Sequence, residues 1–574
     1  MKSTGCIVIL LFATLVLASA EVRNKGWWKN MVFYQIYPRS FMDSDGDGIG
    51  DLKGITSKLQ HFKDSGVGAI WLSPINKSPM VDNGYDISDF KDIDKTFGKL
   101  SDFDDLIKKA KELGLKVILD LVPNHTSDDH YWFQMSVKRE GKYADYYIWS
   151  DGKNNKKSPP NNWASVFNNS GWTLHQTRNQ YYFHQFYPQQ PDLNYNNPEV
   201  QLEMKAIMRY WLDKGLDGFR IDAVPHLFET NLDKDEPPSN IPGAKPGEHL
   251  YLNHIYTKDQ PETYKLIQSW REFVDKYAEE NKRDEIVLMT EAYTSWNNTI
   301  AYYNYGSNVP FNFKFITDAN STSTAQNFKN ITDSWLRLMP KGSTANWVMG
   351  NHDRNRVATR YPGRPDQMTM LAMILPGVVV TYYGEEIGMV DGTTIISDFR
   401  DGCRTPFQWN DSTSAGFSSS SKPWLPVNPD YKTLNLDKQT TDNVSHYNLY
   451  KKLIKLRNSL VALKNGDVQT HVLNNEVFIV TRNTEDESVA LLINFSSNST
   501  VIDLTQVLKG KKAEVKLSDV KSNLTLNTAV TMNAFNVPAK GSVVLIAQPS
   551  GASSIAGISL TSVLLMAFVP LFRP

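Results

Sequence analysis

Cysteine is almost absent: two in 574 residues. One of them, Cys6, sits in an apolar N-terminal run that reads as a removable leader. A fold stapled by intramolecular disulfides is thereby excluded, and a large hydrophobic core has to hold the chain. Charge of one sign is missing too. Against 61 basic side chains stand 62 acidic ones, a net charge of -1, which makes no field to gather nucleic acid or acidic lipid and points to neutral partners. There is no P-loop, no G-x-S-x-G and no pair of histidines four residues apart, which removes phosphate transfer on a Gly-rich loop, the serine-hydrolase elbow and the usual helical zinc site. No internal repeat or low-complexity tract is present. Aromatics, in contrast, are plentiful at 11%, with 14 Trp and 26 Tyr. Flat rings with polar tips serve a core and suit the faces of sugars. At roughly 100 to 200 residues per domain the length implies two or three domains.

Both ends carry apolar runs. Lys2, the stretch Ile7 to Leu17 and then Ala18-Ser19-Ala20 form a charged start, an apolar region and a small-residue cleavage site, so residues 1–20 are expected to be a signal peptide. The alternative is a short buried helix. At the other end the small residues Ser550 to Ser554 precede an apolar run from Ile555 to Phe572. This fits a glycolipid-anchor signal over 549–574, with a membrane-spanning helix or a buried terminal element as the alternatives. The expected location is the extracellular face of the plasma membrane, reached by secretion. Sequons at Asn168, Asn297, Asn320, Asn330, Asn410, Asn443, Asn494, Asn498 and Asn523 agree with that route.

Between the ends, short β-branched or aromatic runs alternate with helical-period segments. The runs are Met31 to Tyr37, Ala69 to Leu72, Lys116 to Val122, Gly218 to Val224, Glu285 to Thr290, Phe311 to Phe315, Asn346 to Met349 and Val378 to Tyr383. Eight such units with near-continuous apolar strands predict an α/β fold, a (β/α)8 TIM barrel. Ser101 with Asp104 suggests a capping box and Gly114 a C-cap; Pro198 opens another helix, which Gly215 closes. The Asn-, Tyr-, Trp- and Pro-rich stretch after the third strand is too long for a connection and predicts an inserted small domain. From Gly466 the pattern turns to alternation, predicting a C-terminal antiparallel β-sandwich domain. The expected organisation is barrel over 21–124 and 198–465, insertion over 125–197 and β domain over 466–548.

Polar residues concentrate where the strands end. The third carries Asp120, Asn124 and His125; the fourth, Arg220 and Asp222; the fifth leads into Glu291; the seventh into Asn351, His352 and Asp353. Each alone could be a helix cap or a satisfied core histidine. Their recurrence at the end of a barrel where active sites are built favours a site. Arg220 is two residues from Asp222 and so shares its strand face, where its cation can keep a nucleophilic carboxylate ionised. Glu291, with an apolar wall and acidic neighbours, can hold the proton of a general acid. Such a pair is what a retaining glycosidase needs, with carboxyls about 5 to 5.5 Å apart. A metal centre is the competing reading of the cluster, but Arg220 would repel a cation.

The segments DLVPNHTS (Asp120 to Ser127), QPDLN (Gln190 to Asn194), GFRIDAV (Gly218 to Val224), EAY (Glu291 to Tyr293) and NHD (Asn351 to Asp353) resemble the ordered signature regions of the α-amylase superfamily, glycoside hydrolase family 13. QPDLN, the opening VFYQIYPRSFMDSDGDGIGDLKGI and RDGCRTPFQW (Arg400 to Trp409) are similar to its oligo-1,6-glucosidase and α-glucosidase subgroup, above all to membrane-anchored insect maltases. The resemblance implies Asp222 as nucleophile, Glu291 as acid/base and Asp353 as transition-state stabiliser. It implies Asp82, Tyr85, His125, Arg220, His352 and Arg400 around the first glucose, a pocket closed at the non-reducing end and hence exo-action on maltose, sucrose or short malto-oligosaccharides. It leaves Asn124, beside His125, unsuited to glycosylation. Ala223 departs from the Val or Thr that sorts linkage preference in microbial relatives, so linkage is not read from it.

The segment Asp43 to Asp51 spaces carboxylates and glycines like the first half of an EF-hand loop. An acidic turn is the plain reading. The resemblance implies structural Ca2+ held by Asp43, Asp45, Asp47, Asp51 and the Ile49 carbonyl, and no organic cofactor. Two other functions stay open. One is a non-enzymatic ectodomain, such as a transporter heavy chain, which usually lacks the catalytic acids, or a surface receptor. The other is a sucrose-transglycosylating or isomerising enzyme. Gut-surface relatives bind bacterial toxins, so a toxin and a second copy of the chain join the α-glucoside and the membrane as expected partners.

Overall fold

The computed structural model describes residues 22–508, 512–522 and 524–548. The expected leader, the C-terminal tail and the sequon at Asn523 lie outside the described residues. Eight parallel strands form one sheet: β1 Val32–Ile36, β2 Ala69–Leu72, β3 Lys116–Leu121, β4 Gly218–Ile221, β5 Val287–Thr290, β6 Val309–Pro310, β7 Asn346–Val348 and β8 Val378–Tyr382. They are hydrogen-bonded in the order β6-β5-β4-β3-β2-β1-β8-β7. Almost every strand residue is buried, as helices over a barrel wall require. This is the (β/α)8 barrel that the alternation predicts.

The two strands at the ends of that order are joined by a side chain. Asn346, fully buried on β7, donates from Nδ2 to the Pro310 carbonyl at 2.6 Å and accepts at Oδ1 from the Asn312 amide at 2.8 Å. One amide thus stands in for ladder bonds that the two-residue β6 cannot supply. The sixth expected strand, Phe311 to Phe315, is a correction: the strand is Val309–Pro310, and a helical turn, Lys314–Thr317, follows. Pro310 has no N–H for a ladder, and Phe311 and Phe313 fill the barrel interior instead of pairing.

The helix before β3, α1 (Leu100–Leu113), begins two residues earlier than the expected box: Asp102 accepts from the Lys99 amide at 3.1 Å, and Ser101 lies inside the first turn. Gly114 closes it in the left-handed region, at φ 74°. The helix α2 (Pro198–Asp213) opens on Pro198, with Asn197 capping the Glu199 amide at 3.0 Å. Between β3 and α2 the insertion carries a three-stranded antiparallel sheet (Trp149–Ser150, Trp172–His175, Gln180–Phe183) around Trp163, Trp172 and Phe183. A second long excursion, 229–260, follows β4 with only one short helical turn, His249–Tyr251.

Among the described residues, 322–332, 364–376 and 444–548 form a compact unit separate from the rest. Its antiparallel sheet contains β9 Asp467–Leu473, β10 Val477–Asn483, β11 Ser488–Asn494, β12 Lys512–Ser518 and β13 Ser542–Gln548, in the order β9-β10-β11-β13-β12. Within this unit the buried Arg457 and Arg482 donate to the carbonyls of Met373, Ile374 and Leu375, at the C-terminal end of the helix Pro365–Ile374. Guanidinium charge there matches the negative end of the helix dipole.

Most of the sequons lie on exposed residues: Asn168, Asn297, Asn320, Asn330, Asn443 and Asn498, with Asn410 half-buried. Asn494 is a correction. It is fully buried, and the amide nitrogen that would carry a glycan donates to the carbonyls of Asn498, Val537 and Pro538.

Candidate active site

A pocket of about 680 Å³ opens at the C-terminal ends of the barrel strands, and Asp82, Tyr85, His125, Asp222, Glu291, His352, Asp353 and Arg400 all line it. Arg220, 2% exposed, is held against the acids that line it. Its guanidinium reaches Asp222 at 2.6 Å, Asp120 at 2.8 Å and Glu291 at 3.8 Å. Every catalytic and substrate-binding residue singled out in the sequence is therefore brought together, through the ends of six strands and the loops after them.

The acids differ in what surrounds them. Burial pushes Asp222 up; Arg220 opposes, and Glu291 and Asp353 reinforce the rise. Asp120 is likewise raised by burial against Arg220; it accepts from Tyr85 OH at 2.9 Å and Trp71 Nε1 at 3.3 Å. Glu291 is raised by burial against Arg220, with Asp353 adding to the rise. One Glu291 oxygen accepts from the Ala223 amide at 2.8 Å. Ala223 takes the left-handed conformation at φ 48°, uncommon for a residue with a side chain, and the twist aims its N–H at the acid. Asp353 goes the other way. Burial would raise it, but the charges around it, Arg400 at 3.3 Å and Arg404 at 3.1 Å among them, hold it well below the usual carboxylate range. Two of the pocket's acids are thus raised and the third is lowered.

The rest of the cluster positions a ligand. His352 lies against the Tyr85 ring, centroids 5.2 Å apart and planes 7° from parallel, and its Nδ1 is 2.8 Å from Gln35 Nε2. Burial pushes His352 down to about 3 and His125 to about 4, so both are neutral near pH 7. Asp82 pairs with Arg400 at 2.8 Å and accepts from Gln190 Nε2 at 3.1 Å. The Arg400 guanidinium lies 5.7 Å from the ring centre of Phe167 and 5.5 Å from that of Phe399.

Among the members of the site that were not singled out in the sequence are Gln190 and Arg404. Gln190 bonds Asp82 and the Tyr85 carbonyl and lies 3.1 Å from His125 Nε2; Arg404 pairs with Asp353. Each stands inside a motif already in view, QPDLN and RDGCRTPFQW. The signal that could have found Arg404 is a second arginine in a stretch already supplying one.

Away from the pocket, Asp43, Asp45 and Asp51 bring carboxylate oxygens within 4.8 Å of one another. Gly46 and Gly48 have φ of 83° and 96°, the turn their spacing requires. Asp43 and Asp51 take backbone amides from Gly46, Gly48 and Ser44 at 2.7 to 2.8 Å. Asp47, in the same turn, is raised by burial, its Ile49 amide bond opposing and its acidic neighbours reinforcing. Crowded hard oxygens on a tight turn fit a calcium ion.

Residues 35–466 match the family model described as alpha amylase, catalytic domain, so the chain is a glycoside hydrolase and belongs to the α-amylase family. Within it the chain is 48% identical to Maltase 1 of Drosophila virilis, over 88% of this chain and 85% of that one. It is 38% identical to the amino acid transporter heavy chain SLC3A1 of Homo sapiens, over 90% of this chain and 77% of that one. The solved alpha-glucosyl transfer enzyme XgtA superposes with a TM-score of 0.82 at 32% identity, covering 91% and 99% of the two chains.

Proposed function

We propose that this chain, an α-glucosidase, releases terminal α-linked glucose by double displacement with retention of configuration. The observation that carries the reading is the single buried guanidinium of Arg220, within 4 Å of Asp222, Asp120 and Glu291 at once. It keeps Asp222 able to attack the anomeric carbon as a carboxylate. Glu291, its carboxyl raised, donates its proton to the glycosidic oxygen and then takes one from the water that hydrolyses the glucosyl ester. Asp353, held ionised by Arg400 and Arg404, faces the positive charge that develops on the ring. Asp82 with Arg400, Tyr85 and His352 bind the terminal glucose. Replacing Asp222 by Asn is expected to abolish hydrolysis of p-nitrophenyl α-glucoside at an unchanged melting temperature, and NMR of fresh product to show α-glucose first. Residual turnover or β-glucose would overturn the mechanism.

A binding-only ectodomain has no use for acids tuned in opposite directions, which favours catalysis over the transporter-like reading. We further read the chain as secreted and lipid-tethered, with a structural calcium at Asp43, Asp45, Asp47, Asp51 and Ile49. The support is the apolar termini, the sequons and the crowded carboxylates. Release from cells by a phosphatidylinositol-specific phospholipase tests the tether.

A further inference from the structure

The Asn-X-Ser/Thr signal recurs along the chain, but its asparagines stand in different places. Of those on described residues, Asn168 alone lines the catalytic pocket. It is one of three exposed residues in that lining, with Arg354 and Phe399, and these three mark the mouth. Whatever reaches the acids enters past that edge.

The turn that carries Asn168 is held in place. Asn168 and Asn169 both take the left-handed region, at φ 72° and 63°, which asparagine tolerates better than most residues. Backbone bonds close the turn, the Asn168 amide donating to the Ser165 carbonyl at 2.9 Å and the Ser165 amide to that of Asn169 at 3.0 Å. Beside it the Phe167 ring stacks on Tyr187, centroids 4.2 Å apart and planes 19° from parallel. The turn is also tied to the excursion 229–260: Asn168 Oδ1 accepts from the His249 amide at 3.0 Å, and the Asn169 amide donates to the Gly247 carbonyl at 2.6 Å. The Oδ1 bond fixes the plane of the side-chain amide. It leaves Nδ2, the atom to which a glycan is attached, without a hydrogen bond among the described residues and on an exposed side of the chain. Asn494, whose Nδ2 already donates to buried carbonyls, is the opposite case.

We propose that Asn168 is N-glycosylated and that its glycan stands over the pocket mouth as a hydrophilic screen, admitting small α-glucosides and holding back branched α-glucan polymers. The inference rests on the secreted reading. Nδ2 bonds the anomeric carbon of the first N-acetylglucosamine of a lipid-diphosphate-linked oligosaccharide; the diphosphate leaves with the bonding pair, and Nδ2 gives up one proton. The attached group is bulky and water-loving. A disaccharide passes beside it, whereas a polymer must bring its neighbouring branches to the rim along with the end that enters. The experiment takes the full chain from secreting eukaryotic cells as wild type, as S170A, which abolishes the sequon yet keeps Asn168 and its bond to His249, and as each of these treated with peptide-N-glycosidase. Glycopeptide mass spectrometry reads occupancy, and kcat/KM on maltose and on glycogen reads the screen. Asn168 is expected to be occupied in the wild type and bare in S170A. Maltose turnover is unchanged throughout, and glycogen rises several-fold in S170A and in the treated wild type alike, with no further rise when S170A is treated. Should S170A not be secreted, the treated wild type decides in its place. A bare Asn168 beside other occupied sequons, or a glycogen value that loss of the glycan does not raise, overturns the proposal alone. A secreted chain bare at every sequon, or a chain that is not secreted, overturns the underlying reading with it.

Discussion

Arg220 sets the pH behaviour of the site because its charge opposes the burial of every acid around it. Asp222 must be ionised to attack, so activity is lost as pH falls through its pKa. Removing the neighbouring cation raises that pKa further, and Arg220→Gln is expected to move the acid limb of kcat/KM to higher pH as well as lowering its plateau. Glu291→Gln should move the acid limb to lower pH, since the Glu291 charge reinforces the rise at Asp222, remove the alkaline limb and slow maltose roughly 10² to 10⁴-fold. It should hurt p-nitrophenyl α-glucoside less, since that leaving group needs less proton assistance. Away from the reaction, Asp192 and Glu229 are buried carboxyls with unpartnered oxygens, both pushed well above the usual range by burial. Groups raised in the folded state add stability that is full below their unfolded pKa and is lost as pH rises through the folded one. Glu229→Gln should therefore flatten the decline in melting temperature toward alkaline pH, as thermal scans from pH 5 to 9 would show. At this scale the sequence was most legible where acids recur at the strand ends and where Asp222 has an arginine at i−2. It was least legible for Gln190 and Arg404, whose roles exist only once distant segments meet.

The elements that position these residues are short, and their legibility follows apolar continuity. Strands such as Ala69–Leu72, buried on both faces, read directly as unbroken runs. Val309–Pro310 did not, because two residues ending in proline carry no pattern, and the aromatic run after them imitates a strand while packing into the barrel. The closure between β6 and β7 depends on Asn346 in place of a ladder. Asn346→Leu keeps the volume but leaves the Pro310 carbonyl and the Asn312 amide buried without partners. At about 1 to 3 kcal/mol for each stranded group, the expected loss is roughly 2 to 6 kcal/mol, read as a lower denaturation midpoint. If the midpoint holds, the side chain is dispensable to closure.

For the whole molecule, composition foretold the substrate class better than the partition of the chain. A near-zero net charge agrees with a neutral sugar recognised by a few enclosed charges. The grouping of 364–376 with the described residues of 444–548 depends on contacts between residues far apart in sequence, which no local pattern records. The calcium reading belongs to this scale as well. Chelation should lower the melting temperature while kcat measured below it stays nearly constant, and an unchanged melting temperature would remove the ion from the account. The scarcity of cysteine has a practical consequence. Cys403, the one cysteine among the described residues, is 3% exposed, its thiol raised to about 12 by burial and lying 3.2 Å from the His352 carbonyl. A protonated, enclosed thiol is inert toward disulfide reagents and alkylators. Its modification rate under mild denaturant is then a stopwatch on the opening of the catalytic floor, and bound sugar should slow it.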